Sequence, residues 1–254
     1  MSETITILEG AEDFALGEGS VGALLVHGFT GSPQSMRGIG EYLSTRDIAV
    51  VCPRLPGHGT TWQDLNTKTT NDWVETVDGA FHQMAAEKDE VFIVALSFGA
   101  TLALDLAARY PDRVAGLVTL AGFVHTKDPR RFFAPVIRYL VKSLPGVSND
   151  IADPDSKEIA YDRFPTGAAH HMLKMVNRAR RGLSAVRTPI LVMHGRNDGT
   201  VAPYNAKLIY DTVGSLDKEL IYLERSNHVI LLDYDRDEVF ERTHAFIKDR
   251  SRVL

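Results

Sequence analysis

Short apolar runs rich in β-branched residues alternate along the chain with segments whose apolar residues recur every three or four positions. The runs are GALLVHG (22–28), IAVVCP (48–53), EVFIVAL (90–96), VAGLVTLAG (114–122), PILVMHG (189–195) and KELIYLE (218–224). Hydrophobicity that continues without alternation marks a strand covered on both faces. Between the runs, Trp73, Val77, Ala80, Phe81 and Met84 share one helical face, as do Ala206, Ile209, Tyr210 and Val213. This rhythm predicts an α/β fold, a mostly parallel central sheet flanked by helices. Ser32-Pro33 reads as a helix N-cap followed by a first-turn proline, and Asp235 to Glu238 as a capping box.

One stretch breaks the rhythm. No clear strand appears between the 114–122 run and Pro189. The interval holds RRFFAPVIRYLVKSLPGV, a polar run NDIADPDSKE, and a helical pattern around HHMLKMV. A plain strand-to-helix connection takes about 2–6 residues. The expectation is therefore one domain, residues 1–254, with a helical cap inserted at about 124–186 before the last strands. Phe132, Phe133, Val136, Ile137 and Leu140 would turn the apolar side of that cap toward a bound ligand.

Composition narrows the class. The 254 residues carry a net charge of -5 and 44% hydrophobic residues, ordinary for a globular chain with a substantial core. An acidic balance gives no field that would draw nucleic acid or anionic lipid. The single cysteine, Cys52, permits no internal disulfide and fits a reducing, cytoplasmic setting. The opening MSETITILEG does not read as a signal peptide, and no apolar run reaches the ~20 residues of a membrane helix. Oligomeric state is left open by the sequence.

Chemistry concentrates at strand ends. In VFIVALSFGATLALDLAARYP a buried strand stops at Ala95-Leu-Ser97-Phe-Gly99 and a helix follows at once. That is the setting of a nucleophile elbow, a tight strand–serine–helix turn that needs small residues two positions to either side. Gly99 meets the rule, and Ala95 departs from the usual glycine by one methyl group. A serine hydroxyl attacks at neutral pH only with a base beside it and an acid orienting that base. In this arrangement they follow the serine in the order acid, then histidine. Asp198 in GRNDGTVAP and His228 in RSNHVILLD each lie just past one of the last two predicted strands. The oxyanion formed in the reaction needs fixed donors. The N–H of Phe98, next to the serine, is one, and the N–H of Phe29 in LLVHGFTGSP, after an early strand, is the other.

Other patterns carry less. GEGSVG (17–22) has dinucleotide-loop spacing but precedes a strand instead of following one. His170-His171 lack metal-ligand spacing, His58 in PGHGTT reads as structural, and Cys52 as a small apolar residue ending a strand. No metal and no cofactor is expected.

Taken together, HGFTGSPQSM, PRLPGHGTT, ALSFGA, KEIAY and SNHVILLD resemble the bacterial monoacylglycerol lipases and related small carboxylesterases, from about His27 to the C-terminus. The resemblance implies an α/β-hydrolase fold, with Ser97, Asp198 and His228 as triad and Phe29 and Phe98 as oxyanion donors. It also implies an apolar contact with the acyl chain at Val147 and a contact with glycerol at Glu158. A further polar contact of that family falls on Ala168, which has no group to make it. The expected activity is hydrolysis of short- to medium-chain carboxylic esters, monoacylglycerols among them, with a small-molecule ester or lipid as the partner. Thioester hydrolysis, acyl transfer and carbon–carbon bond hydrolysis use the same triad. A non-enzymatic binder on the same fold would usually have lost a triad member.

Overall fold

The computed structural model describes residues 6–146 and 149–254. The first half of the chain supplies β1 (Phe14–Leu16), β2 (Val21–Val26), α1 (Gln34–Ser44), β3 (Ile48–Cys52), α2 (Trp62–Leu65), α3 (Thr70–Glu87), β4 (Glu90–Leu96), α4 (Phe98–Arg109) and β5 (Gly116–Leu120). An insertion follows, with α5 (Ala134–Leu140), β6 (Ser143–Pro145), β7 (Arg163–Pro165) and α6 (Thr166–Gly182). The chain closes with β8 (Ile190–Gly195), α7 (Tyr204–Thr212), β9 (Lys218–Leu223) and α8 (Arg236–Arg250).

The main sheet runs β1-β3-β2-β4-β5-β8-β9, parallel except for β1, which pairs antiparallel with β3 at the edge. Each apolar run of the sequence is a strand here, and β2, β4, β5 and β8 are buried throughout. Trp73, Phe81, Leu104 and Ile209 fill one face of the sheet, under α3, α4 and α7. Met36, Ile39, Leu43, Phe246 and Ile247 fill the other, under α1 and α8. From β2 the chain steps outward to β3, then returns to β4 on the opposite side of β2. That reversal opens a crevice beyond the carboxyl ends of β2 and β4, where sheets of this kind bind ligands.

Local details differ from the sequence reading. β1 spans only Phe14–Leu16, too short to show a period. Ser32 caps nothing: α1 starts at Gln34 behind Pro33, and the Ser32 hydroxyl is buried without a partner among the described residues. Asp235 does not cap α8. Its carboxylate turns back to accept from the Arg225 N–H (3.0 Å) and the Ser226 hydroxyl (2.9 Å). A capping box does occur at α3, where the Asp72 carboxylate accepts from the Thr69 N–H at 2.7 Å.

The insertion has two parts of different character. In the outer part, α5 and the antiparallel β6–β7 ribbon lean on α6, whose Met175, Val176 and Ala179 are buried and whose Arg178 is paired with Asp105 of α4. The second part, residues 149–161, has no helix or strand. It runs as a strap across the loops at the carboxyl ends of the sheet, hydrogen-bonded to several of them.

Candidate active site

β4 delivers Ser97 into a strained turn. Its φ is +56°, in the left-handed region that a side chain disfavours, and its N–H donates to the Leu120 carbonyl of β5 at 2.8 Å. The turn depends on Gly99. A Cβ there would lie 2.2 Å from the Val26 carbonyl oxygen, so α4 could not leave the sheet so sharply with any other residue. Ala95 is accommodated at zero exposure opposite Val26 of β2.

The loops after β8 and β9 bring the acid and the histidine to the serine. His228 Nδ1 lies 2.7 Å from Asp198 Oδ2, and His228 Nε2 lies 2.9 Å from Ser97 Oγ. A carboxylate only accepts, so Nδ1 carries the imidazole proton, and Nε2 is free to accept from the serine hydroxyl. Burial works to neutralise His228. The hydrogen bond to Asp198 and the charges of Asp198, Glu158 and Asp150 outweigh it and raise its pKa above 6.5. Burial would likewise raise Asp198, yet the hydrogen bonds from His194 and His228 hold it well below the usual carboxylate range. The N–H groups of Thr200 and Val201 add donors to its other oxygen, at 2.9 and 2.7 Å.

His194 is a group the sequence reading missed. Its Nε2 lies 2.9 Å from both the Val201 carbonyl and Asp198 Oδ2, two acceptors, so its N–H is shared between them and adds a second donor to the oxygen that His228 also meets. The available signal was its place at the end of β8, four residues before Asp198, the spacing needed to turn back onto the acid.

The loop after β2 lies against the serine: a Cβ on Gly28 would sit 3.3 Å from the Ser97 Cβ. Phe29 and Phe98, the two expected oxyanion residues, both border the same cavity, their rings 5.8 Å apart edge to face. His27 holds this loop. Its Nε2 accepts from the Leu55 N–H at 3.0 Å, so Nδ1 donates to the Gly28 carbonyl, also at 3.0 Å. Burial, followed by the nearby Arg54 charge, outweighs that bond and lowers His27 to about 4, keeping the ring neutral. His58 packs edge-on against it at 5.1 Å, neutral for the same first cause, which agrees with its structural reading.

These residues open on a cavity of about 540 Å³. Its lining is mixed. Phe123, Ala134, Ile137, Leu144, Phe164, Met172 and Leu173 supply apolar surface, with Thr126, Asp128 and Thr166 among them, and Thr30, Asn149, Asp150, Glu158 and Thr200 supply further polar groups. Glu158 comes from the strap and reaches the loop after β2 beside Gly31. A Cβ at Gly31 would stand 2.4 Å from its Oε1, so a side chain there would have to push the Glu158 carboxylate out of its present place. Burial pushes the Glu158 carboxyl up to about 7, against the opposing pull of His228 and the Ser35 hydroxyl.

Val147 lies outside the described residues. Ala168 is buried in α6, one residue from Ala169, which does border the cavity. Of the five apolar residues expected to face a ligand, Ile137 does so. Phe132, Phe133, Val136 and Leu140 are 58–78% exposed on the outer surface of the cap. α5 is too short and too superficial to bury both its faces, and sequence periodicity cannot say which face turns inward.

Comparison with known proteins gives a consistent picture. The family model described as serine aminopeptidase, S33, matches residues 22–235. A thermostable monoacylglycerol lipase of Bacillus sp. (strain H-257) is 36% identical over 97% of this chain and 98% of its own. A carboxylesterase of Bacillus subtilis (strain 168) is 27% identical over 92% and 95%. Among solved structures, one described under LipS and LipT, two metagenome-derived lipolytic enzymes, superposes with a TM-score of 0.93 at 35% identity, covering 96% of this chain and all of that one.

Proposed function

For this chain, which belongs to the serine aminopeptidase S33 family of α/β-hydrolases and is a carboxylic ester hydrolase, we propose Ser97, His228 and Asp198 as the catalytic triad and short- to medium-chain esters, monoacylglycerols among them, as substrates. The observation that carries the reading is the unbroken relay Asp198–His228–Ser97, at 2.7 and 2.9 Å, ending on the wall of a cavity lined by both apolar and polar residues.

Ser97 Oγ attacks the ester carbonyl while its proton passes to His228 Nε2. Asp198 fixes the ring and stabilises the imidazolium. The Phe29 and Phe98 N–H groups hold the oxyanion of the tetrahedral intermediate. As that intermediate collapses, the bond to the alcohol oxygen breaks and His228 returns the proton to it. Water, activated by the same histidine, then releases the acid from the acyl-serine. No step needs a metal or cofactor. The acyl chain lies along the cap side, between Ile137, Leu144, Phe164 and Met172, and the stretch 124–186 acts as the cap over the elbow. The alcohol lies toward the strap, where Glu158 meets a substrate hydroxyl. Two carboxylic acids there, Asp150 and Glu158, disfavour a polyanionic leaving group, which argues against acyl-CoA thioesters. The buried free thiol of Cys52 supports a reducing, cytoplasmic setting. Among the described residues, no helix is long and apolar enough to cross a membrane.

Ser97→Ala tests the reading. Hydrolysis of p-nitrophenyl butyrate should fall by about four or more orders of magnitude, and fluorophosphonate labelling should vanish, with the melting curve kept. Labelling or turnover that survives in this variant would refute it. In the intact enzyme, kcat/KM should rise with pH with a midpoint above 6.5, as the raised His228 loses its proton.

A further inference from the structure

The acid and the base of the triad sit on separate loops, one after β8 and one after β9, and their bond of 2.7 Å tolerates little drift. We propose that Asp150, on the strap, is a positioning residue that locks these two loops into one register. The proposal rests on the triad assignment above and adds a residue to it.

Asp150 grips one loop with its main chain and the other with its side chain. Its carbonyl oxygen accepts from the N–H of His228 at 3.0 Å and of Val229 at 3.2 Å. Its carboxylate Oδ2 accepts from the Gly199 N–H at 3.0 Å and the Thr200 hydroxyl at 2.8 Å. The same Thr200 gives its own N–H to Asp198 Oδ1, so the acid and Asp150 share a clamp. A shift of either loop must therefore break a bond at Asp150 or carry the other loop with it. Charge-assisted bonds of this kind are about twice as strong as neutral ones.

The strap is itself held from behind. Asp233, fully buried, accepts from the N–H groups of Ala152 (2.9 Å) and Asp153 (3.1 Å) on the strap and of Asn227 (2.8 Å) on the base loop. Its other end is fixed by Gln34, which accepts from the Ile159 N–H and donates to the Lys157 carbonyl. Asp150 thus hangs from a frame anchored on two sides of the site. The charges facing the His228 ring are Asp198 from the acid loop and Asp150 and Glu158 from the strap. Losing the charge of Asp150 weakens the field that favours the imidazolium.

The test uses kcat, KM and pH profiles on p-nitrophenyl butyrate for Asp150→Ala, Asp150→Asn and Thr200→Val, with thermal melts alongside. A misplacement of 1 Å costs about 100-fold in rate, so Asp150→Ala should lower kcat by about 10- to 100-fold with KM changed far less. Asp150→Asn keeps an acceptor oxygen and should recover most of kcat, but with the acid limb of kcat/KM moved to lower pH. Thr200→Val removes one bond of the clamp and should lower kcat modestly at unchanged KM. An Asp150→Ala enzyme with wild-type kcat overturns the proposal, as does a loss carried by KM alone. So does an Asp150→Asn enzyme as slow as the alanine variant. Should Asp150→Ala fail to fold, an unaltered kcat in Thr200→Val is the overturning result. Fluorophosphonate labelling at Ser97 reports the triad independently, so failure here and failure of the triad assignment are told apart.

Discussion

The outer cap and the strap are neighbours in one insertion, yet they are built on opposite principles. α5 carries Val136, Tyr139 and Leu140 at 58–78% exposure and buries no residue completely. The strap has no regular structure, but Asp150, Ala152, Asp153, Ile159 and Tyr161 each hold a specific partner outside the strap. Regular structure is therefore a poor guide to how firmly each part is fixed. A helix satisfies its own backbone and can rest on the surface. An irregular segment must find every partner in its surroundings, and where it finds them it becomes part of those surroundings. In this molecule the surroundings are the loops that carry Asp198, His228 and Phe29, the residues proposed to serve Ser97.

The largest expected contrast comes from cutting the strap's rear anchor. Asp233→Ala removes a fully buried acceptor and leaves half-buried strap and base-loop N–H groups without it. Each unsatisfied buried group costs about 1–3 kcal/mol, and water recovers part of that at the half-buried strap amides. A net loss of about 3 kcal/mol should lower the melting temperature by about 6–12 °C in a domain of this size. Ester turnover should fall with it even at 25 °C, where the fold persists. Melting curves and kcat on p-nitrophenyl butyrate check both. A variant with both values unchanged would remove the distinction between strap and cap.

This contrast marks what the sequence could and could not disclose. The strands were legible because burial on both faces leaves an unbroken apolar run, as in EVFIVAL. Ser97, Asp198 and His228 were legible because each stands at the end of such a run. NDIADPDSKE shows in the sequence only as a polar interval within a cap, since hydrogen bonds that Asp150 accepts from residues 49 and 50 positions away leave no periodic trace. His194 was passed over for a related reason: a histidine ending a buried strand looks the same whether it packs or donates to Asp198. Which side of α5 faces inward was not legible, because the apolar residues of APVIRYL cover most of its circumference. Ser32 and Asp235 looked like helix caps by residue type, yet Asp235 found other partners once the loops were in place.

Glu158 sharpens the comparison at intermediate size, since it is the strap's own contribution to the cavity. Replacing it with glutamine removes the charge but keeps the shape. A hydrogen bond to a substrate hydroxyl contributes about 1–2 kcal/mol when the carboxylate is the acceptor, or about 5- to 30-fold in rate. Glu158→Gln should therefore slow monoacylglycerol hydrolysis by about that factor and p-nitrophenyl butyrate hydrolysis much less. Equal effects on the two substrates would detach Glu158 from the alcohol. Its titration gives a second handle. The folded carboxyl sits near 7, above its value of 4.5 in the unfolded chain, so the folded state binds the proton more tightly. Below pH 4.5 both states are protonated and Glu158 contributes nothing; as pH rises through 4.5 to 7 its ionisation penalises the fold. Glu158→Gln should then raise the melting temperature relative to wild type at pH 8 and leave it unchanged at pH 4. A constant difference across that range would contradict the burial of the carboxyl.

The smallest effects should come from the outer cap, and there the two sides of one helix can be set against each other. Leu140 is 78% exposed on α5, so Leu140→Ser removes little buried contact. Surface substitutions of this kind usually stay within about 0.5 kcal/mol, which corresponds to about 1–2 °C in melting temperature. Turnover of a short, water-soluble ester should also stay within about twofold. Ile137, three residues earlier, points into the cavity beside Leu144 and Phe164. Ile137→Ser should leave the melting temperature almost as unmoved, because the residue is only half-buried in the free protein. It should nonetheless lower kcat/KM progressively as the acyl chain lengthens, since each methylene that reaches the altered wall loses up to about 0.8 kcal/mol of burial. A chain-length series on the two variants decides the matter. If Leu140→Ser shows the graded loss and Ile137→Ser does not, the helix turns its other face to the acyl chain. If both are flat to the longest soluble ester, the chain runs along α6, past Met172 and Leu173, and the outer cap takes no part in selecting it.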